Sequence, residues 1–371
     1  MLSNNLPDFD ALYTRITPQP LGSLLHHRGH THTFVIALPL GLVALAVLVG
    51  FARRRNWRLT RRDLGWLSAL ALAGGPVHIA LDSSNNYGIH PFWPFYNGWF
   101  YGDSVFIIEP WIWAVLVPPL YFLVETRIAK GLLLALLTAI LALCFVRELV
   151  PRSMAIAVSA AATGMTLAAW RAAPRARVAL GVAGICLVTL GFAGVGRAAR
   201  TRVSSLAASD FPASTTHDLV LTPMPANPLC WSAILIQTED RLYHARSGAF
   251  AVWPSFIAAS DCPFGADAMP TAPARRVEAP VRPELRWTRQ FSAPRDELAA
   301  LSQHCVAAAF LRFARAPYWT AERGGARVVG DVRYDRAPDL DFSDVPVRRG
   351  ARCPGFVPPW TPPRIDLLEL R

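Results

Sequence analysis

Long apolar runs separated by short polar stretches fill residues 34 to 195 of this chain. Six runs reach or approach the length that crosses about 30 Å of hydrocarbon as a helix. They cover residues 34–52, 64–81, 105–124, 131–146, 154–170 and 178–195. The fourth and fifth runs are short and need flanking residues or burial against neighbouring helices to span a bilayer. The pattern predicts an α-helical polytopic membrane protein with about six transmembrane helices.

The pattern changes after the sixth run. The remaining residues are more polar, rich in arginine and proline, and contain no further spanning run. Residues 232–237 and 326–334 have the pattern of strands, and residues 297–314 have apolar positions at helical spacing. We therefore expect a soluble α+β domain at the C terminus. The predicted parts are an N-terminal segment (1–33), a transmembrane domain (34–198) and a soluble domain (199–371).

The positive charges indicate the orientation of the chain, because loops rich in arginine and lysine stay on the cytoplasmic side. Six arginines lie between the first and second runs, whereas the loop of residues 82–104 has no lysine or arginine. The loop after the fourth run is ambiguous, since Arg147 and Arg152 enclose Glu148. This orientation places the N-terminal segment, the loop of residues 82–104 and the soluble domain outside. In a bacterial inner membrane, the outside is the periplasm.

The composition favours a membrane protein over a nucleic-acid-binding protein. The chain has 371 residues, of which 53% are hydrophobic and 17% charged, and its formal net charge is +11. Many of its arginines flank apolar runs, where they orient the chain and contact lipid headgroups. We expect membrane lipids as partners and no nucleic-acid partner. The sequence does not determine the oligomeric state.

The six cysteines fall into two groups. Cys144 and Cys186 lie inside apolar runs and are expected to act as small hydrophobic residues. The other four lie in the soluble domain, at Cys230, Cys262, Cys305 and Cys353. In an oxidising compartment they can form two disulfides, with three possible pairings. A four-cysteine zinc site is the less favoured alternative, because the spacing lacks a C-x2-C pair.

The densest group of metal-ligand side chains lies just before the first run. Residues 26–33 read HHRGHTHT and contain four of the nine histidines. Asp8 and Asp10 precede this stretch, and His78 and Asp82 follow at the outer end of the second run. Because a helix places residues i and i+4 on one face, His78 and Asp82 can reach one metal ion. Alone, His78 is also compatible with a simple interfacial histidine. Asp8 and Asp10 are also compatible with turn-forming or helix-capping carboxylates.

Two histidines of this stretch can share a metal only if the chain bends. On a continuous helix His27 and His32 would point about 140° apart, so shared ligation requires a loop before the first run. Gly29 allows such a bend, and Thr31 or Thr33 can cap the helix that follows. His26 and His30 are expected to support the ligands or to be exposed.

Three further residues are candidates for catalytic roles. Arg28 can pair with an anionic substrate group such as a phosphate, or with a lipid headgroup. Asp103 and Glu109 flank the start of the third run at the same face, with Glu109 about one turn inside it. Either carboxylate can orient a ligating histidine or act as a general base.

The loop between the second and third runs is rich in aromatic side chains, especially over residues 87–101. An interfacial aromatic belt is the favoured interpretation, because tryptophan and tyrosine concentrate at the bilayer boundary. The second interpretation makes these side chains the wall of a pocket that admits a lipid. The two interpretations are compatible.

At these residues the chain resembles a family of bacterial inner-membrane proteins described as membrane-bound metal-dependent hydrolases, the YdjM/YbcI type. Its PD-x-D element is matched at residues 7–10, and its HRG-x-TH element at residues 27–32. Its H-x3-D element, followed by YG, is matched by His78, Asp82, Tyr87 and Gly88. The soluble domain has an NP-x2-W element at Asn227, Pro228 and Trp231, similar to members with a long tail. The HRG-x-TH pattern implies that His27 and His32 are ligands in preference to His26 and His30.

The expected function is hydrolysis by a metal-activated water at the periplasmic face. The expected ligands or their immediate supports are Asp8, Asp10, His27, His32, His78 and Asp82. Histidine and carboxylate ligands without a thiolate suit zinc or another borderline divalent ion. The resemblance implies a phosphoester or lipid-like substrate. The alternative is a non-catalytic membrane scaffold or sensor, in which the metal is a structural clip and the soluble domain binds a partner. A transporter is disfavoured, because the ionisable residues gather at one face.

Overall fold

Three short helices precede the first long apolar helix. The structure is a computed structural model that describes residues 2–146, 150–263, 269–336 and 340–368. The short helices are α1 (Leu2–Asn5), α2 (Asp10–Thr14) and α3 (Leu21–His26), with 3-10 turns at Pro7–Phe9 and His30–His32. The ambiguous loop charges Arg147 and Glu148 lie outside the described residues.

The six predicted runs all form helices. These are α4 (Phe34–Arg54), α5 (Arg61–Asp82), α6 (Pro110–Leu123), α7 (Arg127–Val146), α8 (Arg152–Arg171) and α9 (Pro174–Asp210). Among the described residues, all of these except α6 are long and apolar enough to cross a membrane. α6 has only 14 residues, because it starts at Pro110 and leaves residues 105–109 of the predicted run outside the helix.

The helix α9 is much longer than the sixth apolar run predicts. Its 37 residues correspond to about 55 Å, which exceeds a hydrocarbon core of about 30 Å. Its last turns therefore continue into the soluble domain. The predicted domain boundary at residue 198 lies inside this helix.

The helices α4 and α5 approach closely because two glycines leave space between them. A Cβ on Gly41 would lie 2.5 Å from the backbone oxygen of Ala71, and a Cβ on Gly75 would lie 2.9 Å from the Cβ of Ala37. Thr33 caps the N terminus of α4 by accepting a hydrogen bond from the backbone N–H of Ile36. The start of α4 and the end of α5 consequently lie side by side.

The helix α1 packs alongside α5. The Ser3 hydroxyl donates a hydrogen bond of 3.2 Å to the backbone oxygen of Leu70, which lies near the middle of α5. Ser3 also lies against Gly74, whose missing side chain permits this close approach. α1 therefore lies beside the middle of an apolar helix that is long enough to cross a membrane.

In its described residues, the C-terminal domain contains two antiparallel sheets and three short α-helices. The first sheet has the order β1-β2-β3-β5-β4, and the second has the order β6-β7-β8. The strands are β1 (Thr215–Met224), β2 (Asn227–Glu239), β3 (Leu242–Ala251), β4 (Arg275–Arg276), β5 (Leu285–Pro294), β6 (Pro317–Trp319), β7 (Ala326–Asp331) and β8 (Val345–Arg348). The helices are α10 (Arg295–Leu301), α11 (Cys305–Leu311) and α12 (Ile365–Leu368).

These elements confirm the predicted α+β class. The predicted strand at residues 232–237 lies within β2, and β7 covers the first part of the strand predicted at residues 326–334. The single helix predicted over residues 297–314 is instead two helices, α10 and α11, which are separated by a turn.

The first sheet docks on the end of α9 through a buried tryptophan. Trp231 of β2 is fully buried, and its indole N–H donates to the backbone oxygen of Pro228. A Cβ on Gly196 of α9 would lie 2.9 Å from the Trp231 ring, so glycine allows this contact. The NP-x2-W element is therefore a packing element that joins the sheet to α9.

The four cysteines of the soluble domain form two disulfides. Cys230 pairs with Cys262, and Cys305 pairs with Cys353. This pairing selects one of the three possible connectivities and overturns the four-cysteine zinc alternative. Cys144 and Cys186 carry free thiols, as expected for cysteines within apolar helices.

Buried ion pairs attach the soluble domain to the loop between α5 and α6. The guanidinium of Arg315 donates to both carboxylate oxygens of Asp103 at 2.7 and 2.9 Å and also contacts Asp218. Arg333 is fully enclosed and donates to the backbone oxygens of Asn86 and Tyr87. Because a guanidinium binds carboxylates in a fixed geometry, these contacts set the position of the domain over the loop.

A C-terminal arm, residues 349–364, runs from the soluble domain over the N-terminal histidines. Within it, the indole N–H of Trp360 donates to the backbone oxygen of Leu25 at 3.0 Å. The Trp360 ring stacks on His90, and the Phe356 ring stacks on His26. The disulfide between Cys305 and Cys353 ties this arm to α11.

Candidate metal site

A sharp loop between α3 and α4 carries the central histidines. α3 ends at His26, and Arg28 takes the left-handed conformation with a φ of 56°. A Cβ on Gly29 would lie 2.8 Å from the backbone oxygen of His26, so only glycine fits there. The predicted bend therefore exists, and it turns His32 towards the end of α5.

Four side chains converge at this point: Asp8, His32, His78 and Asp82. Their ligand atoms all lie within 4.8 Å of one another. The Nε2 atom of His32 lies 3.5 Å from Asp8 Oδ1 and 3.3 Å from Asp82 Oδ2. The Nε2 atom of His78 lies 3.4 Å from each of the same two oxygens.

The four residues form a group that can hold a metal ion. In a tetrahedral zinc site, bonds of about 2.0–2.1 Å place neighbouring donor atoms about 3.3 Å apart. The four nitrogen–oxygen distances of 3.3–3.5 Å match this spacing. Three of the four atoms, His32 Nε2, His78 Nε2 and Asp82 Oδ2, are buried and have no hydrogen-bond partner in the described part of the chain. Because unpaired buried polar atoms are costly, their convergence is typical of a cation site.

Asp10 does not reach this group of atoms but holds His32 in place. Its Oδ2 lies 3.3 Å from Nδ1 of His32 and accepts hydrogen bonds from the Arg28 backbone N–H and the Thr31 hydroxyl. A hydrogen on Nδ1 of His32 satisfies Asp10 and leaves the Nε2 lone pair facing the other ligands. Such a carboxylate–histidine pair fixes the tautomer of a metal-binding histidine.

His27 also lies beside the four-residue group and is not a member of it. Its Nδ1 lies 3.1 Å from Asp10 Oδ1, and its ring packs against His32 and Tyr87. Of the two histidines selected by the HRG-x-TH pattern, only His32 contributes to the four-residue group. His27 supports it through Asp10.

The side chains outside the membrane helices have strongly perturbed protonation. Contacts with His32 and His78 hold the pKa of Asp8 well below its ordinary value. Burial would raise the pKa of Asp10, but its interactions with His27 and His32 lower it to about 2. Burial disfavours the charged form of His32, yet the contacts with Asp10, Asp8 and Asp82 raise its pKa to about 10. The carboxylates thus create a negative field that a bound cation would neutralise.

Arg28 is engaged by protein groups and is not a free anion-binding residue. Its guanidinium is buried and donates to Asp82 Oδ1 at 3.0 Å and to Asn85 Oδ1 at 2.9 Å. It also lies over the Tyr87 ring. These contacts orient Asp82, so that its other oxygen faces the ligand group. The expected pairing of Arg28 with a substrate phosphate is therefore replaced by a positioning role.

Asp103 and Glu109 have other partners than the ligating histidines. Both oxygens of Asp103 bind Arg315, and one also binds Arg200, because the soluble domain and α9 meet there. Glu109 is the N-cap of α6, where it accepts from the Trp111 backbone N–H, and not one turn inside a helix. Burial raises the pKa of Glu109 to about 8. The structure does not place either carboxylate against the four-residue group.

His26 and His30 pack under the C-terminal arm and are not simply exposed. The ring of His26 stacks on Phe356, and the ring of His30 packs against Trp93 and Trp360. His90 is fully enclosed between Trp99 and Trp360, and burial lowers its pKa to about 3. These histidines hold the loop of the site in place from the side of the soluble domain.

The role of Asn85 was not predicted from the sequence. Its side-chain oxygen accepts from both the Arg28 guanidinium and the Tyr87 backbone N–H. Its position three residues after Asp82, on the last turn beyond α5, is the one signal that would have indicated it.

The site lies in a part of the chain that is similar to a known protein family. Residues 1–150 match the family model described as YdjM inner membrane protein. No curated protein and no solved structure is significantly similar to the chain. The YdjM match contains all four residues of the possible metal-binding group, together with Asp10, His27 and Arg28. The sheets of the soluble domain lie beyond the matched residues.

Proposed function

We propose that this chain is a membrane-bound metal-dependent hydrolase whose site faces the periplasm. The observation that carries the proposal is the convergence of two histidine nitrogens and two carboxylate oxygens, three of them buried without a hydrogen-bond partner among the described residues. A divalent ion held there supplies Lewis-acid chemistry and activates water for attack on an ester. Zinc is the first candidate, because the donor set is histidine and carboxylate.

The surrounding residues have separate roles in this proposal. Asp8, His32, His78 and Asp82 hold the ion, Asp10 orients His32, and Arg28 orients Asp82. When the histidines are neutral, the carboxylates of Asp8, Asp10 and Asp82 carry three negative charges and the guanidinium of Arg28 carries one positive charge. The site therefore has a net charge of about −2. A divalent cation balances this charge. The substrate class is a phosphoester, in which the water oxygen bonds to phosphorus while the ester P–O bond breaks. The leaving oxygen keeps the electron pair of that bond and takes the proton released by the water.

The test is metal analysis combined with turnover. Purified native protein is expected to contain about one equivalent of zinc or a similar ion, because one four-residue group is described. The double variant His78→Ala/Asp82→Ala is expected to lose it, together with chelator-sensitive turnover of a chromogenic phosphodiester. His217→Ala/Asp366→Ala, which removes a histidine–carboxylate pair of the soluble domain outside the group, is the matched control. Full metal content in the double variant would contradict the site.

A structural metal clip is the second candidate function. Four protein ligands complete a tetrahedron, as in structural zinc sites, whereas catalytic sites usually keep one position open. The measurement that separates the candidates is the same panel of phosphoesters. Zinc bound at full occupancy without turnover on any substrate, in detergent or in lipid, would favour the clip.

The periplasmic placement is part of the proposal. Its supports are the two disulfides, which form in oxidising compartments, and the arginines of the opposite loop between α4 and α5. A membrane-impermeant maleimide tests it in whole cells with a permeabilised outer membrane. A Glu322→Cys variant is expected to react, while Arg58→Cys is expected to react only after lysis. The reverse pattern would place the soluble domain in the cytoplasm.

A further inference from the structure

The short helix α2 and its flanking residues are polar on the inside and apolar on the outside. Asp10 and Thr14 point inwards and are buried, as the site requires. Phe9, Leu12 and Ile16 point outwards and are 48%, 66% and 85% exposed. These three residues follow helical spacing and form one outward face. Such a face is stable only against an apolar environment.

The position of α1 indicates that this face lies near an apolar helix long enough to cross a membrane. α1, directly before it in the chain, packs against Leu70 and Gly74 in the middle of α5. On α5, Val77 and Leu81 precede the two ligands His78 and Asp82 and are exposed. The outer part of α5 therefore exposes apolar side chains next to the residues that bring it to the site, and the 3-10 turn that ends at Phe9 packs against this helix.

The soluble domain closes the opposite side of the site. Arg28 and Asn85 are buried, and the Tyr87 ring beside them packs on Phe313. The guanidinium of Arg333 covers the Tyr87 backbone. From this side, a solute in the periplasm meets packed protein before it reaches the ligand group.

The four-residue group is accessible from the surface of the protein at Asp8. The Asp8 side chain is 48% exposed, whereas the His32 side chain is fully buried. Asp8 is directly followed by the exposed Phe9, so the opening borders the apolar face of α2. Arg15 is exposed on the same segment, and arginine side chains at a membrane surface bind lipid phosphates.

We infer that the site takes its substrate from the bilayer, and that the substrate is a phospholipid of the outer leaflet whose headgroup phosphate enters past Asp8. The inference rests on the proposed hydrolase function and specifies its substrate class and route of entry. The apolar face of α2 holds the segment at the depth of the headgroups, so the ester reaches the site without leaving the membrane.

The first experiment measures the position of α2 without relying on activity. A nitroxide is attached to Leu12→Cys in a Cys144→Ala/Cys186→Ala background, and the protein is placed in lipid nanodiscs. The label is expected to collide more often with oxygen than with a water-soluble nickel chelate. A label at Glu322→Cys on the soluble domain is the control and should show the opposite preference. Greater accessibility of the residue 12 label to the nickel chelate would overturn the inference.

The second experiment compares two substrates of the same zinc-loaded protein. Turnover of phospholipid in vesicles is expected to fall about tenfold in Leu12→Ser/Ile16→Ser, because the lost apolar contacts weaken insertion of the segment. Turnover of a water-soluble phosphodiester and the zinc content should stay unchanged. Leu187→Ser/Leu190→Ser, on the exposed surface of α9, is the matched control and should leave both activities intact.

The outcomes separate the inference from the function on which it rests. Turnover of the soluble ester with no effect of the α2 variant on vesicle lipid would overturn the bilayer route and leave the hydrolase standing. Absence of turnover on both substrates by the zinc-loaded native protein would overturn the hydrolase, and the substrate assignment with it.

Discussion

Asp10 supports the candidate metal site without belonging to the four-residue group. Asp10 faces the far side of the His32 ring and also holds the Arg28 backbone. We expect Asp10→Asn to weaken zinc binding by about 10- to 100-fold, because His32 loses the partner that fixes its tautomer. Competition with a chromogenic chelator measures this affinity. Asp296→Asn, an exposed substitution in the soluble domain, is the control. Equal affinities for the two variants would refute the role of Asp10.

Glu109 gives the protein a pH-dependent stability. Its pKa of about 8 in the folded state lies above the ordinary value of 4.5, because the side chain is buried. The folded state therefore binds more protons than the unfolded state between these values, and stability falls as the pH rises through them.

Replacing Glu109 by glutamine tests this pH dependence. Glu109→Gln keeps an acceptor for the Trp111 N–H but cannot ionise, so its thermal midpoint is expected to match native protein near pH 5 and to exceed it at pH 8. Thermal unfolding in detergent measures both midpoints. Glu278→Gln, at an exposed position, should follow the native profile throughout. If the Glu109→Gln and native profiles were identical, burial would not raise the pKa of Glu109, and the predicted pH dependence would be wrong.

Contacts of single side chains were the part of the site that the sequence predicted least well. His78, Asp82 and the bend at Gly29 followed from helical spacing and from the conformational freedom of glycine. The roles of His27 and Arg28 did not follow, because they depend on which atoms Asp10 and Asn85 already occupy. The two partners of Asp103, Arg200 and Arg315, are 97 and 212 residues away in the chain, and residue spacing carries no information about them.

At the scale of elements, the site depends on the close approach of α4 and α5. Gly75 lies one turn before His78 and faces Ala37 of α4. We expect Gly75→Val to destabilise the fold by about 1–3 kcal/mol, because the added side chain forces the helices apart. Bound zinc should also be lost more readily, since α4 positions the His32 loop. Thermal unfolding and metal content measure the two effects.

A second glycine supplies the control for helix propensity. A Cβ on Gly164 of α8 would meet no other atom within 4 Å. Gly164→Val introduces the same β-branched side chain into a membrane helix without a steric clash. A loss of stability in this variant as large as that in Gly75→Val would assign the effect to propensity instead of packing.

The elements themselves were largely predictable from hydrophobic pattern. All six apolar runs form helices, and the strand in β2 followed from its apolar residues. Their ends were not predictable, because proline and neighbouring domains decide them. Pro110 shortens α6, and the contact of Trp231 with Gly196 accompanies the extension of α9 beyond its apolar run.

At the scale of the whole molecule, the C-terminal arm links the soluble domain to the metal loop. Trp360 is fully buried, and it contacts Leu25, His30 and His90. We expect Trp360→Ala to cost about 3–5 kcal/mol of stability, because it leaves a large cavity. Zinc transfer to a chelator should also become faster, because the loop loses its cover. Trp253→Ala, an exposed tryptophan of the same domain, is the control and should change neither quantity. Unchanged zinc transfer in Trp360→Ala would separate the arm from the site.

The uninterrupted length of α9 has a mechanical consequence. One end of this helix lies among the membrane helices, and the other carries the sheet through Trp231, with no hinge between them. Because α9 is one continuous helix, a change in its tilt is transmitted to the sheet that packs on its end. When the bilayer thins or thickens, a helix adjusts its tilt to match. A change in the tilt of α9 would therefore act directly on Asp103, because this carboxylate in the loop between α5 and α6 binds both Arg200 of α9 and Arg315 of the soluble domain.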